Sequence, residues 1–233
     1  MQAVILAGGL ATRMRPLTTD TPKAMLEVAG RPFIAWQLER LSACGYARVL
    51  LCLGYLGGKV QEFVRDGAHF DLAVEYAFDG PRLLGTGGAL RRSLDRLEQA
   101  FLVTYGDSYL PFDYSAPLAD LEQHPEALGT MSVFENRGRW DSSNTQIEGD
   151  RVLRYEKGSK DPALDHIDYG ATALRREAVE RLPADTAVGL DALQTDLARQ
   201  GRLRAYAAHE RFYEIGSEEG LRELGLYLSR THG

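Results

Sequence analysis

The sequence predicts an α/β fold: a Rossmann-like mixed, mostly parallel sheet flanked by helices. Three observations carry this reading. Short uninterrupted apolar runs recur through the first half, as strands buried on both faces of a parallel sheet require. Segments with apolar residues at helical spacing separate those runs. Two of the runs end at glycine turns, and ligands of such sheets sit beyond the carboxyl ends of strands.

The elements follow in order. Residues 3–6 are the first apolar run, closed by Gly8 and Gly9. Residues 33–44 carry Ile34, Leu38 and Leu41 at helical spacing, and residues 48–53 (RVLLCL) form a buried strand. A short helix over 59–64, a strand over 73–76 and a helix over 87–97 come next. The strand over 101–105 ends at Gly106-Asp107-Ser108. The βαβαβ rhythm places this turn and the Gly8-Gly9 loop at one crevice. The second half is less regular, with strands expected over 130–135, 151–156 and 167–174. Helices are expected over 176–181, 190–199 and 217–228. No repeat, low-complexity tract or linker interrupts the 233 residues, so a single domain is expected.

Composition narrows the function classes. A net charge of −6 argues against a general nucleic-acid binder, so the cations near the N-terminus point to a local anion site. Cys44 and Cys52 form no C-x-x-C pair and are expected to be reduced core residues. No segment has the length of a membrane span, and the start lacks the pattern of a signal peptide. The chain therefore reads as a cytoplasmic protein without membrane or nucleic-acid partners. Its oligomeric state, monomer or homo-oligomer, is left open.

The chemistry-bearing residues begin with the opening loop. Gly8 and Gly9 let the backbone pass close to a ligand, and their N–H groups, with that of Leu10, form a cradle for phosphate oxygens. Arg13 offers a fork of donors suited to a terminal phosphate, and Lys23 a mobile point charge. Neither a P-loop nor a G-x-G-x-x-G spacing is present. Asp107, directly after a buried strand, suits a Mg²⁺ ion that takes few carboxylates plus phosphate oxygens. Glu214 ends another apolar stretch and is a candidate partner. Gly85-Thr86-Gly87-Gly88 opens a helix, either to admit a flat base or to pack the turn. Glu156-Lys157 puts an acid and a cation at a strand end.

Together these residues resemble the sugar nucleotidyltransferases, the nucleoside-diphosphate-sugar pyrophosphorylases. The pattern G-G-x-G-T-R-x-x-P-L-T, then P-K-P-M, stands here as Gly8-Gly9-Leu10-Ala11-Thr12-Arg13-Met14-Arg15-Pro16-Leu17-Thr18 and Pro22-Lys23-Ala24-Met25. Gly85-Thr86-Gly87-Gly88-Ala89, Gly106-Asp107-Ser108, Glu156-Lys157 and Glu214-Ile215-Gly216 match later motifs in order. The resemblance implies the nucleotide-diphospho-sugar transferase fold, with residues 1 to about 110 binding nucleotide and about 111 to 233 binding sugar phosphate. It implies catalysis by Arg13, Lys23 and Asp107, and Mg²⁺ held by Asp107 and Glu214. Nucleotide contacts would come from Leu6, Ala7, Gly8, Gly9, Arg13, Gly85, Thr86 and Gly87. Sugar-phosphate contacts would come from Lys23, Asn144, Glu156, Lys157, Tyr169 and Gly170. The substrates implied are a nucleoside triphosphate and a sugar 1-phosphate.

The chain departs from the pattern at Ala11, Ala24 and Glu214, where many members have glycine, proline and aspartate. Within the family it is most similar to the small heptose 1-phosphate guanylyltransferases and N-acetylmuramate 1-phosphate uridylyltransferases. By analogy of position, the polar segments 140–144 and 166–170 border the sugar.

Overall fold

The computed structural model describes residues 1–9, 12–80 and 82–231, without the side chain of Arg13. Strand β1 (Gln2–Ala7) is buried on both faces because its residues alternate between two cores. Ala3 and Ile5 enter one, Val4 and Leu6 the other. A small hairpin, β2 (Glu27–Val28) and β3 (Arg31–Pro32), leads into α1 (Phe33–Ala43). Then come β4 (Arg48–Leu53), α2 (Gly57–Val64), β5 (Ala73–Phe78), α3 (Gly85–Arg92) and β6 (Ala100–Tyr105). This is the rhythm the apolar runs predict. The helix expected over 87–97 starts two residues earlier, stops at Arg92 and gives way to a 3₁₀ turn, Leu94–Arg96.

The second half continues with β7 (Ser108–Tyr109), α4 (Ala116–Gln123), β8 (Gly129–Glu135), β9 (Thr145–Glu148), β10 (Arg151–Tyr155) and β11 (His166–Arg175). It closes with α5 (Arg176–Glu180), α6 (Leu190–Arg199), β12 (Leu203–Ala208), β13 (Tyr213–Glu214) and α7 (Glu218–Thr231). Sequence periodicity does not reveal α4, β9 or β12. Pro117 stands in the first turn of α4, where its missing N–H costs nothing. The alanine-rich β12 lacks the β-branched residues that usually mark a strand.

The nine strands of the sheet run β5-β4-β1-β6-β11-β8-β12-β10-β9. From β5 to β6 all pairings are parallel. β11 runs antiparallel to both its neighbours β6 and β8, and β12 returns parallel to β8. The chain leaves β1 first toward β4 on one side and later reaches β6 on the other. β1 is therefore a switch point, and a crevice opens at its carboxyl end.

A third core lies outside the sheet. Val28, Phe33, Trp36, Tyr109, Ile215, Leu224 and Leu228 close together and hold α7 against the β7–β13 pair. Leu224 and Leu228 are fully buried, each contributing about 1.5–3 kcal/mol. That packing fixes where Glu214 stands. Among the described residues no helix is long and apolar enough to cross a membrane.

Candidate active site

A cavity of about 340 Å³ occupies the crevice at the end of β1. Leu6, Ala7, Gly8 and Gly9 form its floor, and Gly106 and Asp107 one wall. Two glycines make this convergence possible. A Cβ on Gly106 would lie 2.5 Å from that of Ala7, and one on Gly54 2.3 Å from the carbonyl oxygen of Gly8. Only backbone fits at either place.

Lys23 enters from the 3₁₀ turn Lys23–Met25, which Pro22 starts by accepting a hydrogen bond from the Met25 N–H at 2.8 Å. Its Nζ donates to Oδ2 of Asp107 at 2.7 Å. The turn carrying Asp107 is tied down from below. Gln37 of α1, buried, donates from Nε2 to the carbonyl oxygens of Tyr105 and Ser108, both at 2.8 Å. Asp107 and Glu214 stand on adjacent backbones, because Glu214 pairs with Ser108 and the Ile215 N–H donates to the Asp107 carbonyl at 2.9 Å.

Glu214 is exposed along one edge, yet protein packs around much of its carboxylate. Desolvation first, then the negative charge of Asp107, push its pKa up to about 7, with Lys23 opposing. Two carboxylates and one ammonium make a site that gains from a further cation. Among the described residues no group of three or more His, Cys, Asp or Glu side chains could hold a metal. Two carboxylates completed by phosphate oxygens nonetheless suit a magnesium-like ion, which keeps few protein ligands. The donor set fits.

The remaining sequence-predicted residues divide. Gly85 and Thr86 line the cavity. Gly87 is a correction: it is absent from the cavity wall, and a Cβ there would meet the Gly189 carbonyl oxygen at 2.8 Å. Its N–H donates to the Val188 carbonyl at 2.9 Å, so this glycine serves helix packing. Tyr169 is a second correction. It is 1 % exposed and packs against Phe112, Phe134 and Phe212, which leaves its ring in the core.

Gly170 sits at a bulge of β11 with φ +100°, its N–H donating to Asp168 Oδ1 and its carbonyl accepting from Thr104 Oγ1. Glu156 does not reach the cavity, because its carboxylate accepts two hydrogen bonds from Arg154 on the surface. Lys157 lies close enough to Asp168 to oppose the rise that burial imposes on that carboxyl. Asn144 spends Oδ1 inside the protein, accepting from the Asp168 N–H at 2.9 Å and Thr145 Oγ1 at 2.8 Å. Arg13 occupies the 3₁₀ turn Thr12–Met14, with its side chain outside the described residues, as Leu10 and Ala11 are entirely.

A family model described as nucleotidyl transferase matches residues 2–154. The chain belongs to this family. It is 36 % identical over 138 residues to an N-acetylmuramate alpha-1-phosphate uridylyltransferase of Neisseria meningitidis, covering 58 % of this chain and 60 % of that one. It is 30 % identical over 157 residues to a D-glycero-alpha-D-manno-heptose 1-phosphate guanylyltransferase of Campylobacter jejuni, covering 67 % and 68 %. Among solved structures, HddC from Yersinia pseudotuberculosis complexed with GMP-PN matches at 26 % identity. The TM-score is 0.78, over 97 % of this chain and 99 % of that one. The chain spans about half to two thirds of the length of curated relatives such as these.

Several site residues of this nucleotidyl transferase escape sequence reasoning. Asp79 and Tyr55 line the cavity from the ends of β5 and β4, and only the rule that ligands collect at carboxyl ends points to them. Gln37 sits within a helix and carries no local signal. A second, open pocket of about 780 Å³ lies over the segment 137–143. Trp140 there stacks on the Arg211 guanidinium at 3.7 Å, fastening this segment to the start of β13. Segments 140–144 and 166–170, expected to border one sugar, do meet: the Asn144 N–H donates to the His166 carbonyl at 2.9 Å.

Proposed function

We propose that this chain is a sugar-1-phosphate nucleotidyltransferase, joining a nucleoside triphosphate to a sugar 1-phosphate with release of pyrophosphate. The observation that carries the reading is the contact of Lys23 with Asp107 at the mouth of the cavity formed by the Gly8-Gly9 loop, with Glu214 alongside. A sugar phosphate is already an anion and needs no general base to attack phosphorus. The obstacle is bringing two polyanions into line, so positioning and charge neutralisation supply the catalysis.

In this reading Gly8 and Gly9 admit the triphosphate, and Lys23 leaves Asp107 to bridge the α-phosphate and the incoming sugar phosphate. Arg13 neutralises the departing pyrophosphate. Asp107 and Glu214 would hold Mg²⁺, which when bound draws charge from the phosphate oxygens. Lys157 and the backbone around Asn144 and Gly170 form the sugar-phosphate end. GTP with a heptose 1-phosphate is the substrate pair this reading puts first. UTP with N-acetylmuramate or hexose 1-phosphate is the alternative.

The test is pyrophosphate release from a matrix of nucleoside triphosphates against sugar 1-phosphates, with and without Mg²⁺. Release with at least one pair, lost on chelation, is expected. Silence across the matrix would sink the proposal in favour of a non-catalytic nucleotide-sugar sensor.

A further inference from the structure

Asp79 stands directly beyond β5, on the cavity wall away from Lys23 and Asp107. It is 7 % exposed, and no described group donates a hydrogen bond to its carboxylate. Arg92 lies nearby but bonds the backbone carbonyl of Asp79 rather than its side chain. The carboxylate oxygens keep some accessible surface on the cavity side, so their acceptor positions stay available to a ligand there. Desolvation raises its pKa, with the Arg92 charge opposing. Its Oδ2 fills the space beside Gly8, only 2.7 Å from where a Cβ on that glycine would be. The carboxylate is thus lodged inside the cavity against the Gly8-Gly9 loop.

The sheet order puts β5 three strands from β6. At about 4.8 Å per strand the separation is roughly 14 Å. A nucleotide whose phosphates meet Lys23 and Asp107 therefore extends its base toward Asp79, past Cys52 and Leu83 on the same wall.

We propose that Asp79 selects the nucleobase and that the base is guanine, whose N1–H and 2-amino group donate to the two carboxylate oxygens. The inference rests on the nucleotidyltransferase reading above and adds the base to it. A carboxylate offers acceptors only, side by side. Guanine presents two adjacent donors on its Watson–Crick edge. Uracil and thymine present one N–H between two carbonyls, which a carboxylate repels. Adenine and cytosine present an amino group beside a ring-nitrogen acceptor. A site built around an unmet acceptor pair rejects bases that cannot meet it.

The experiment is equilibrium binding of nucleoside diphosphates, without sugar phosphate, to the full chain and to Asp79→Asn. Wild type is expected to bind GDP most tightly. IDP, which lacks the 2-amino group, should bind roughly 10- to 100-fold more weakly, as loss of one bond to a charged group implies. XDP, which has a carbonyl there, should bind more weakly still. Asp79→Asn turns one acceptor into a donor, so its preference should reverse from GDP to XDP. A purely structural aspartate cannot produce that reversal. Tighter binding of UDP, CDP, ADP or dTDP than GDP by wild type overturns the inference, as does GDP binding equal to IDP. So does a folded Asp79→Asn that still prefers GDP. Pyrophosphate release with a non-guanine nucleotide would leave the enzyme reading intact while removing this one, and binding of no nucleotide overturns both.

Discussion

Lys23 donates to Asp107 across 2.7 Å, so the cation proposed to meet the phosphates and the carboxylate proposed to hold the metal grip each other in the free protein. Each compensates the other's charge, and in the proposed reaction the substrate phosphates and a metal ion would separate them. The side chains are 21 % and 39 % exposed, and a pair so placed is worth only about 0–1 kcal/mol to stability. Its role lies in the site.

Lys23→Ala should therefore leave the melting temperature nearly unchanged while lowering kcat by roughly 100- to 1000-fold, the usual cost of a charge aimed at a transition state. Lys23→Arg should not restore it, because a planar fork cannot follow a moving phosphate as a point charge does. Melting curves and pyrophosphate release read both. Near-normal turnover of Lys23→Ala would refute the assignment.

Glu214 predicts a pH dependence. Its folded carboxyl holds its proton up to about pH 7, against 4.5 as the ordinary value. Between those values the folded state binds more protons than the unfolded one. The stability from this group is full below about 4.5 and is lost as pH rises through about 7. In EDTA, wild type should lose more melting temperature between pH 5.5 and 8 than Glu214→Gln does. Added Mg²⁺ at pH 8 should recover the loss in wild type only. Parallel pH curves for the two proteins would show that Glu214 is not the titrating group.

Gln37 straps the Asp107 turn through two carbonyls that have no other described partner side chain. Gln37→Leu roughly keeps the volume but removes both of these buried bonds, costing about 1–3 kcal/mol. Because the turn then loosens under Asp107, kcat should fall and the apparent Mg²⁺ affinity weaken. A variant destabilised to this extent with unchanged Mg²⁺ dependence would reduce Gln37 to a packing residue.

Lys23 and Asp107 are legible in the sequence because each directly follows a marker that survives without a structure: a proline turn, or a buried strand ended by glycine. Strands β1, β4, β5 and β6 are legible as well, as short apolar stretches set between turn and helix patterns. Asp79 and Gln37 are not, because one looks like a turn aspartate and the other like any polar residue of a helix. Their meaning depends on which strands are neighbours, and strand order is absent from periodicity. The glycines of 85–88 divide between the two readings, for Gly85 lines the cavity. They look like a ligand's approach, yet Gly87 is small because the backbone of 188–189 crosses it. Tyr169 misleads likewise: a strand alternates faces, and the bulge next to Gly170 hides which face the ring takes.

Asn144 brings the last prediction. Its backbone carbonyl accepts from the Glu156 N–H at 2.8 Å while its Oδ1 accepts from the Asp168 N–H. One residue thus ties the end of β10, which leads into Lys157, to the bulge of β11. Asn144→Ala removes the second tie and leaves the buried Thr145 hydroxyl without its acceptor. KM for the sugar 1-phosphate should rise about 10-fold, as loss of roughly 1.4 kcal/mol of positioning implies. KM for the nucleoside triphosphate should stay within about twofold, because the nucleotide wall is built from other strands. Steady-state kinetics with each substrate varied in turn separates the two. An equal rise in both would mean that Asn144 supports the fold as a whole rather than the sugar end of the site.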